Sequence, residues 1–242
     1  MRDAARRRGV LRHSEGTQLE SERLSYPAYD IGREDVRARA RTVFAQVMFL
    51  VAANCGFTAA GAWIGRDLSP GASLVCLLGG FAIAIGLGFV RKRSSGLAMT
   101  LFFGLGLLLG LGVGPVLSAY ATANGAAILW QAAGATALFV GAFGAYGYAT
   151  RRDLSSWART LFWGLLGLIV LGLVLVFVSI PYGHLVYALL GLGIFAAFTM
   201  FDFNRLRRAQ PDDAVLLATG IYLDVFNVFL FMLQILGGGD RR

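Results

Sequence analysis

The chain has 242 residues, of which 57% are hydrophobic and only 15% charged, with 32 glycines and two cysteines. Soluble domains carry about 25% charged residues, and no single core of this length hides so much apolar surface. The mean hydropathy of +0.64 excludes an ordinary soluble enzyme and a disordered chain. Two cysteines exclude a disulfide scaffold, and a polytopic membrane protein remains. The net charge of +8 does not indicate nucleic acid, because the basic clusters fall between apolar runs.

Residues 1–42 are polar and Arg-rich, with ten of the 22 basic residues and seven of the 14 acids. They read as a cytoplasmic tail, disordered over most of its length, with a short helix over 33–42 that runs into the membrane. No apolar core precedes a small-residue cleavage site, so a cleaved leader is not expected. Seven segments then have the roughly 20 apolar residues that a spanning helix needs: 43–65, 70–90, 97–118, 126–149, 160–180, 183–204 and 214–237. The membrane domain is thus expected over 43–237 and a short C-terminal tail over 238–242. Turn chemistry separates the segments at Ser69-Pro70-Gly71, Ser94-Ser95-Gly96, Asn124-Gly125, Pro181-Tyr182-Gly183 and Gln210-Pro211-Asp212.

Charge sets the expected orientation. With the N-terminus inside, nineteen of the 22 basic residues fall on the inner side. The reading is seven spans with a cytoplasmic N-terminus; a re-entrant last segment would give six. Gly106, Gly110 and Gly114 in the third segment have the small-xxx-small spacing of close helix packing. Asn54 is expected to bond between helices, and Trp63, Trp157 and Tyr182 to anchor span ends.

The chemistry concentrates in two acids inside spans, Asp202 and Asp224. A carboxylate at a helix centre costs roughly 2.5–3.5 kcal/mol to insert, so each needs a partner or a role. Gly220, Asp224, Asn227 and Gln234 lie within a sector of about 80° of the last helix. Asp202 has Arg205 as an i,i+3 partner. Pro211 followed by Asp212 and Asp213 is a good helix start, which sets the two acids at similar depth. Should they meet across a dry seam, they hold one proton between them and titrate as a unit. With Asn227 and backbone carbonyls they also offer hard oxygen ligands suited to calcium. Cys55, Cys76, His13 and His184 have no metal-ligand spacing.

The segment Ile221-Tyr222-Leu223-Asp224-Val225-Phe226-Asn227-Val228-Phe229-Leu230, ending Leu233-Gln234-Ile235-Leu236-Gly237, resembles the final helix of the Bax-inhibitor family, the transmembrane Bax-inhibitor-motif proteins. Met200-Phe201-Asp202-Phe203-Asn204-Arg205-Leu206 resembles its sixth-helix motif. Tyr146 through Ser155 resembles its helix 4–5 junction. The resemblance covers about residues 40–237. It implies six helices wrapped around a central C-terminal one, and a pH-sensitive calcium leak in which Asp202 and Asp224 are the di-aspartyl proton sensor and gate. The basic latch on Asp202 is left open between Arg205 and Arg91. Eukaryotic relatives restrain cell death, and bacterial ones include modulators of a membrane-bound protease. Some relatives carry an acid in helix 2, where residues 70–90 have none, with Gly79 and Gly80 in that region.

Three functions are weighed on these residues. The first is a calcium leak channel in a bacterial inner membrane, with no cofactor and calcium as the permeating ion. The second is a non-conducting regulator that binds a membrane protease or another membrane complex. An intramembrane aspartyl protease is disfavoured, since neither acid has a GxGD context.

Overall fold

In a computed structural model the described residues are 41–90 and 95–238. The expected tail before residue 41, Arg91 and residues 239–242 lie outside them. Seven helices, each long and apolar enough to cross a membrane, account for the described chain: α1 (Arg41–Gly65), α2 (Pro70–Val90), α3 (Ser95–Asn124), α4 (Ala127–Ala149), α5 (Trp157–Phe177), α6 (Gly183–Leu206) and α7 (Ala214–Gly237). Among the described residues there is no strand. The all-α, seven-helix reading holds, and α7 runs unbroken for 24 residues, roughly 36 Å at 1.5 Å per residue.

Two boundaries differ from expectation. Helix α3 continues past Pro115 to Asn124 instead of stopping at 118. Proline inside a membrane helix is tolerated where neighbours satisfy the freed carbonyl. The helix ends instead at Gly125, whose φ of +83° needs a residue without Cβ. Helix α5 lies three residues earlier than 160–180. It starts after the turn at Leu154, whose carbonyl accepts from the Trp157 N–H at 2.9 Å. It stops at Val178, which is already extended, since the approach to Pro181 disfavours helical backbone.

The interior is shared by α3 and α7, each with 44% of its most apolar window buried; for α5 the figure is 11%. Helix α7 packs against α4 and α6 and also touches α2 and α3. The core joins Val47 and Leu50 of α1, Phe102 and Leu105 of α3, and Ile221 and Val228 of α7. Phe102 meets Tyr222 edge-on at 6.0 Å. Large exposed side chains such as Phe162, Trp163 and Phe177 stud α5, as befits a helix whose solvent is hydrocarbon.

Helices α1 and α3 meet backbone to backbone. A Cβ on Gly106, Gly110 or Gly114 would strike Asn54, Thr58 or Ala62, and one on Gly61 or Gly65 would strike Leu107 or Leu111. The glycine spacing therefore serves close packing. Trp63 and Tyr182 are strongly exposed near helix ends, with Trp157 less so.

Candidate functional site

Both intramembrane acids are buried, Asp202 at 6% and Asp224 at 3% exposure. Asp202 lies one turn before the end of α6. Its Oδ1 is 3.6 Å from Nη1 of Arg205, whose guanidinium also stacks 5.5 Å from the Phe201 ring centre. Its other oxygen, Oδ2, occupies the space that a Cβ on Gly220 would take. Glycine at 220 is what lets the α6 carboxylate rest directly on the α7 backbone.

Asp224 follows Gly220 by four residues, a rise of about 6 Å. Its carboxyl is in hydrogen-bond contact with the Thr199 hydroxyl of α6 and within electrostatic range of Asp202. Thr199 already donates its hydroxyl proton to the Phe195 carbonyl at 2.8 Å. The Thr199 hydroxyl thus stands between the Phe195 carbonyl of its own helix and the Asp224 carboxyl of α7. The remaining oxygen, Oδ2, is buried with no partner among the described residues. The seam between α6 and α7 thus holds two carboxyls, one guanidinium and one orphan acceptor.

The polar edge of α7 does face α6. Near its far end, Gln234 donates to the His184 carbonyl at 3.3 Å. Asn227 is half-buried, and its Nδ2 is committed to the Leu223 carbonyl at 2.7 Å, which leaves the side-chain oxygen as an acceptor. Arg205, one of the two latch candidates, lies at Asp202; the other, Arg91, lies outside the described residues. Among the described residues no group of three or more His, Cys, Asp or Glu gathers.

Sequence reasoning missed the clamp beside this seam. Asn204 is 2% exposed, and its Nδ2 faces the carbonyls of Gly147 (3.3 Å), Thr150 (3.4 Å) and Arg152 (3.1 Å). Its Oδ1 accepts from the Leu154 N–H at 3.3 Å and from Arg208 Nη2 at 2.7 Å. One amide thereby ties the end of α6 to the whole α4–α5 junction. Arg208 also pairs with Asp153 at 3.0 Å, and Asp153 accepts from the Ser155 backbone and hydroxyl. The Arg208 guanidinium and the Ser155 donors hold the Asp153 carboxyl well below the usual carboxylate range. The available signal was Asn204 and Arg208 at i,i+4 across the charged end of the helix.

On the opposite face of α7, the Tyr222 and Thr58 hydroxyls lie 2.7 Å apart. Thr58 donates to the Asn54 carbonyl at 2.9 Å, so Tyr222 is the donor to Thr58. The interhelical bond expected of Asn54 is carried by Thr58 instead. The Asn54 side-chain amide itself has no partner among the described residues.

A membrane protein of Vibrio cholerae serotype O1 is 33% identical over 184 residues, 74% of this chain and 80% of the relative. The inner membrane protein YbhL of Escherichia coli K12 is 28% identical over 227 residues, 85% of this chain and 94% of the relative. A protein of Chlamydia muridarum is 31% identical over 167 residues, covering 63% and 70%. Residues 40–241 match the family described as inhibitor of apoptosis-promoting Bax1. With seven spanning helices and paired acids at the seam of the last two, the chain is a membrane protein of the Bax inhibitor family.

Proposed function

We propose that this chain is a pH-gated leak for calcium in a bacterial inner membrane, oriented with its N-terminus in the cytoplasm. The reading is carried by one observation: the Asp202 carboxylate lies on Gly220 of the neighbouring helix, one turn from the buried, half-partnered Asp224. With a proton on the pair and Arg205 on Asp202, the seam holds one compensated charge and stays closed. Loss of that proton leaves two carboxylates against each other in a dry contact, a state costly enough to part the helices or recruit a cation. Calcium takes six to eight oxygen ligands, to which Asp202, Asp224, the Thr199 hydroxyl, the Asn227 side-chain oxygen and water contribute as the ion passes. The orientation rests on the inner-side excess of basic residues.

Calcium entry into dye-loaded liposomes at pH 6 to 8 is the test. Wild type is expected to leak more as pH rises, and Asp202→Asn and Asp224→Asn each to flatten that dependence. Superimposable pH curves for all three proteins would sink the gate.

Two observations favour a second reading, a non-conducting regulator of a membrane protease or similar complex. Helix α2 carries no acid, and the large cavity near α7 is lined chiefly by apolar side chains. That reading expects no flux in pure liposomes and a co-purifying membrane partner.

A further inference from the structure

A cleft of about 850 Å³ opens between α1, α3, α4 and α7, within the ~300–1,000 Å³ of small-molecule sites. It lies on the face of α7 away from Asp224 and does not enter the gate reading. Its deep end is formed by Cys55, Thr58 and Tyr222. At the other end stand Trp63 and Trp130, 68% and 79% exposed, and beyond them Arg66 and Ala126.

Three features of the cleft name its occupant. Its walls are overwhelmingly apolar, so water gains little by filling it. From Arg66 to Cys55 along α1 the depth is about 16 Å, half of the ~30 Å hydrocarbon core and so the reach of one leaflet's acyl chain. Two groups that favour an anion line its mouth. One is Arg66, which stacks 5.1 Å from the Trp63 ring centre and whose pairing with Asp67 at 3.2 Å is solvent-exposed and weak. The other is the first turn of α4, which has no acidic residue and no side-chain cap at Ala126. The flanking tryptophans are the side chains that settle at headgroup depth.

We propose that the cleft holds one acyl chain of an anionic phospholipid from the leaflet on the Arg66 side. The phosphate sits between Arg66 and the start of α4, and the tail ends against Tyr222 and Thr58.

Native mass spectrometry of the detergent-purified full chain, re-equilibrated with phosphatidylglycerol or phosphatidylcholine, tests this. Wild type is expected to keep one lipid per chain, with about a fivefold preference for phosphatidylglycerol, the factor given by ~1 kcal/mol for a basic residue at the headgroup. Arg66→Gln is expected to keep the lipid and lose most of the preference. Ala133→Trp, at an exposed wall position, is expected to lose the retained lipid of either kind with an unchanged unfolding temperature. Ala137→Phe serves as a second filling variant if Ala133→Trp unfolds. The proposal is overturned if both filling variants retain as much lipid as wild type, or if Arg66→Gln leaves the preference intact. It is equally overturned if wild type is a dimer that the filling variants split, since a second copy then fills the cleft.

Discussion

Replacing Asn204 with alanine removes a side chain that bonds the end of α6 to Gly147, Thr150, Arg152 and Leu154. Two bonds are short, 2.7 Å from Arg208 and 3.1 Å to the Arg152 carbonyl; the other three are 3.3–3.4 Å. The charged bond is worth about 1.5 kcal/mol and the Arg152 bond about 1, while the long contacts add a few tenths each. Arg208 is 42% exposed at its side chain and regains water, which returns part of the loss. The Leu154 N–H belongs to a buried residue and does not. The expected net destabilisation is about 2–3 kcal/mol, read as helical ellipticity in reversible unfolding by sodium dodecyl sulfate from mixed micelles. Asn204→Asp keeps the acceptor for Arg208 and Leu154 but sets a buried carboxylate oxygen against the carbonyls of Gly147, Thr150 and Arg152, so it is expected to cost more than Asn204→Ala. A loss below about 0.5 kcal/mol for Asn204→Ala, or the reverse ranking, would refute the clamp.

Gly220→Ala gains about 1 kcal/mol of helix propensity yet places a methyl on the Asp202 carboxylate, an overpacking of about 1–3 kcal/mol. The expected sum is a net loss of stability together with a displaced pH midpoint for calcium leak; a variant more stable than wild type with an unmoved midpoint contradicts the contact. The Asp153 carboxyl is held below its ordinary range in the fold, so its contribution is present above about pH 4 and is lost as pH falls through the depressed folded value. Unfolding midpoints for wild type and Asp153→Asn are therefore expected to converge between about pH 4 and pH 2, and a gap that widens on acidification contradicts the pairing. Because both partners are well exposed, added salt shrinks the gap at neutral pH.

Spans and turns were legible because lipid imposes length and apolarity on each helix, and Pro70, Gly125 and Pro181 punctuate them. Asp202 and Asp224 stood out because buried acids are costly, and the i,i+3 spacing already named Arg205. Asn204 was quoted only as part of a motif. Its bonds reach back 50 to 57 residues, a separation that helical periodicity does not encode. The extension of α3 through Pro115 depends on neighbours satisfying a carbonyl, and the cleft on where helices fail to touch. Neither leaves a local pattern in the chain.

The glycine seam of α1 and α3 has a mechanical consequence. Where two main chains dovetail across glycines, with Asn54 the side chain set against Gly106, little lies between them to rearrange, and the pair is built to move as one plank. Tyr222 pins α7 to that plank through Thr58, 2.7 Å away. The anchor lies only two residues from Asp224, so a swing that lifts the acid off α6 has a short lever arm as long as that bond holds.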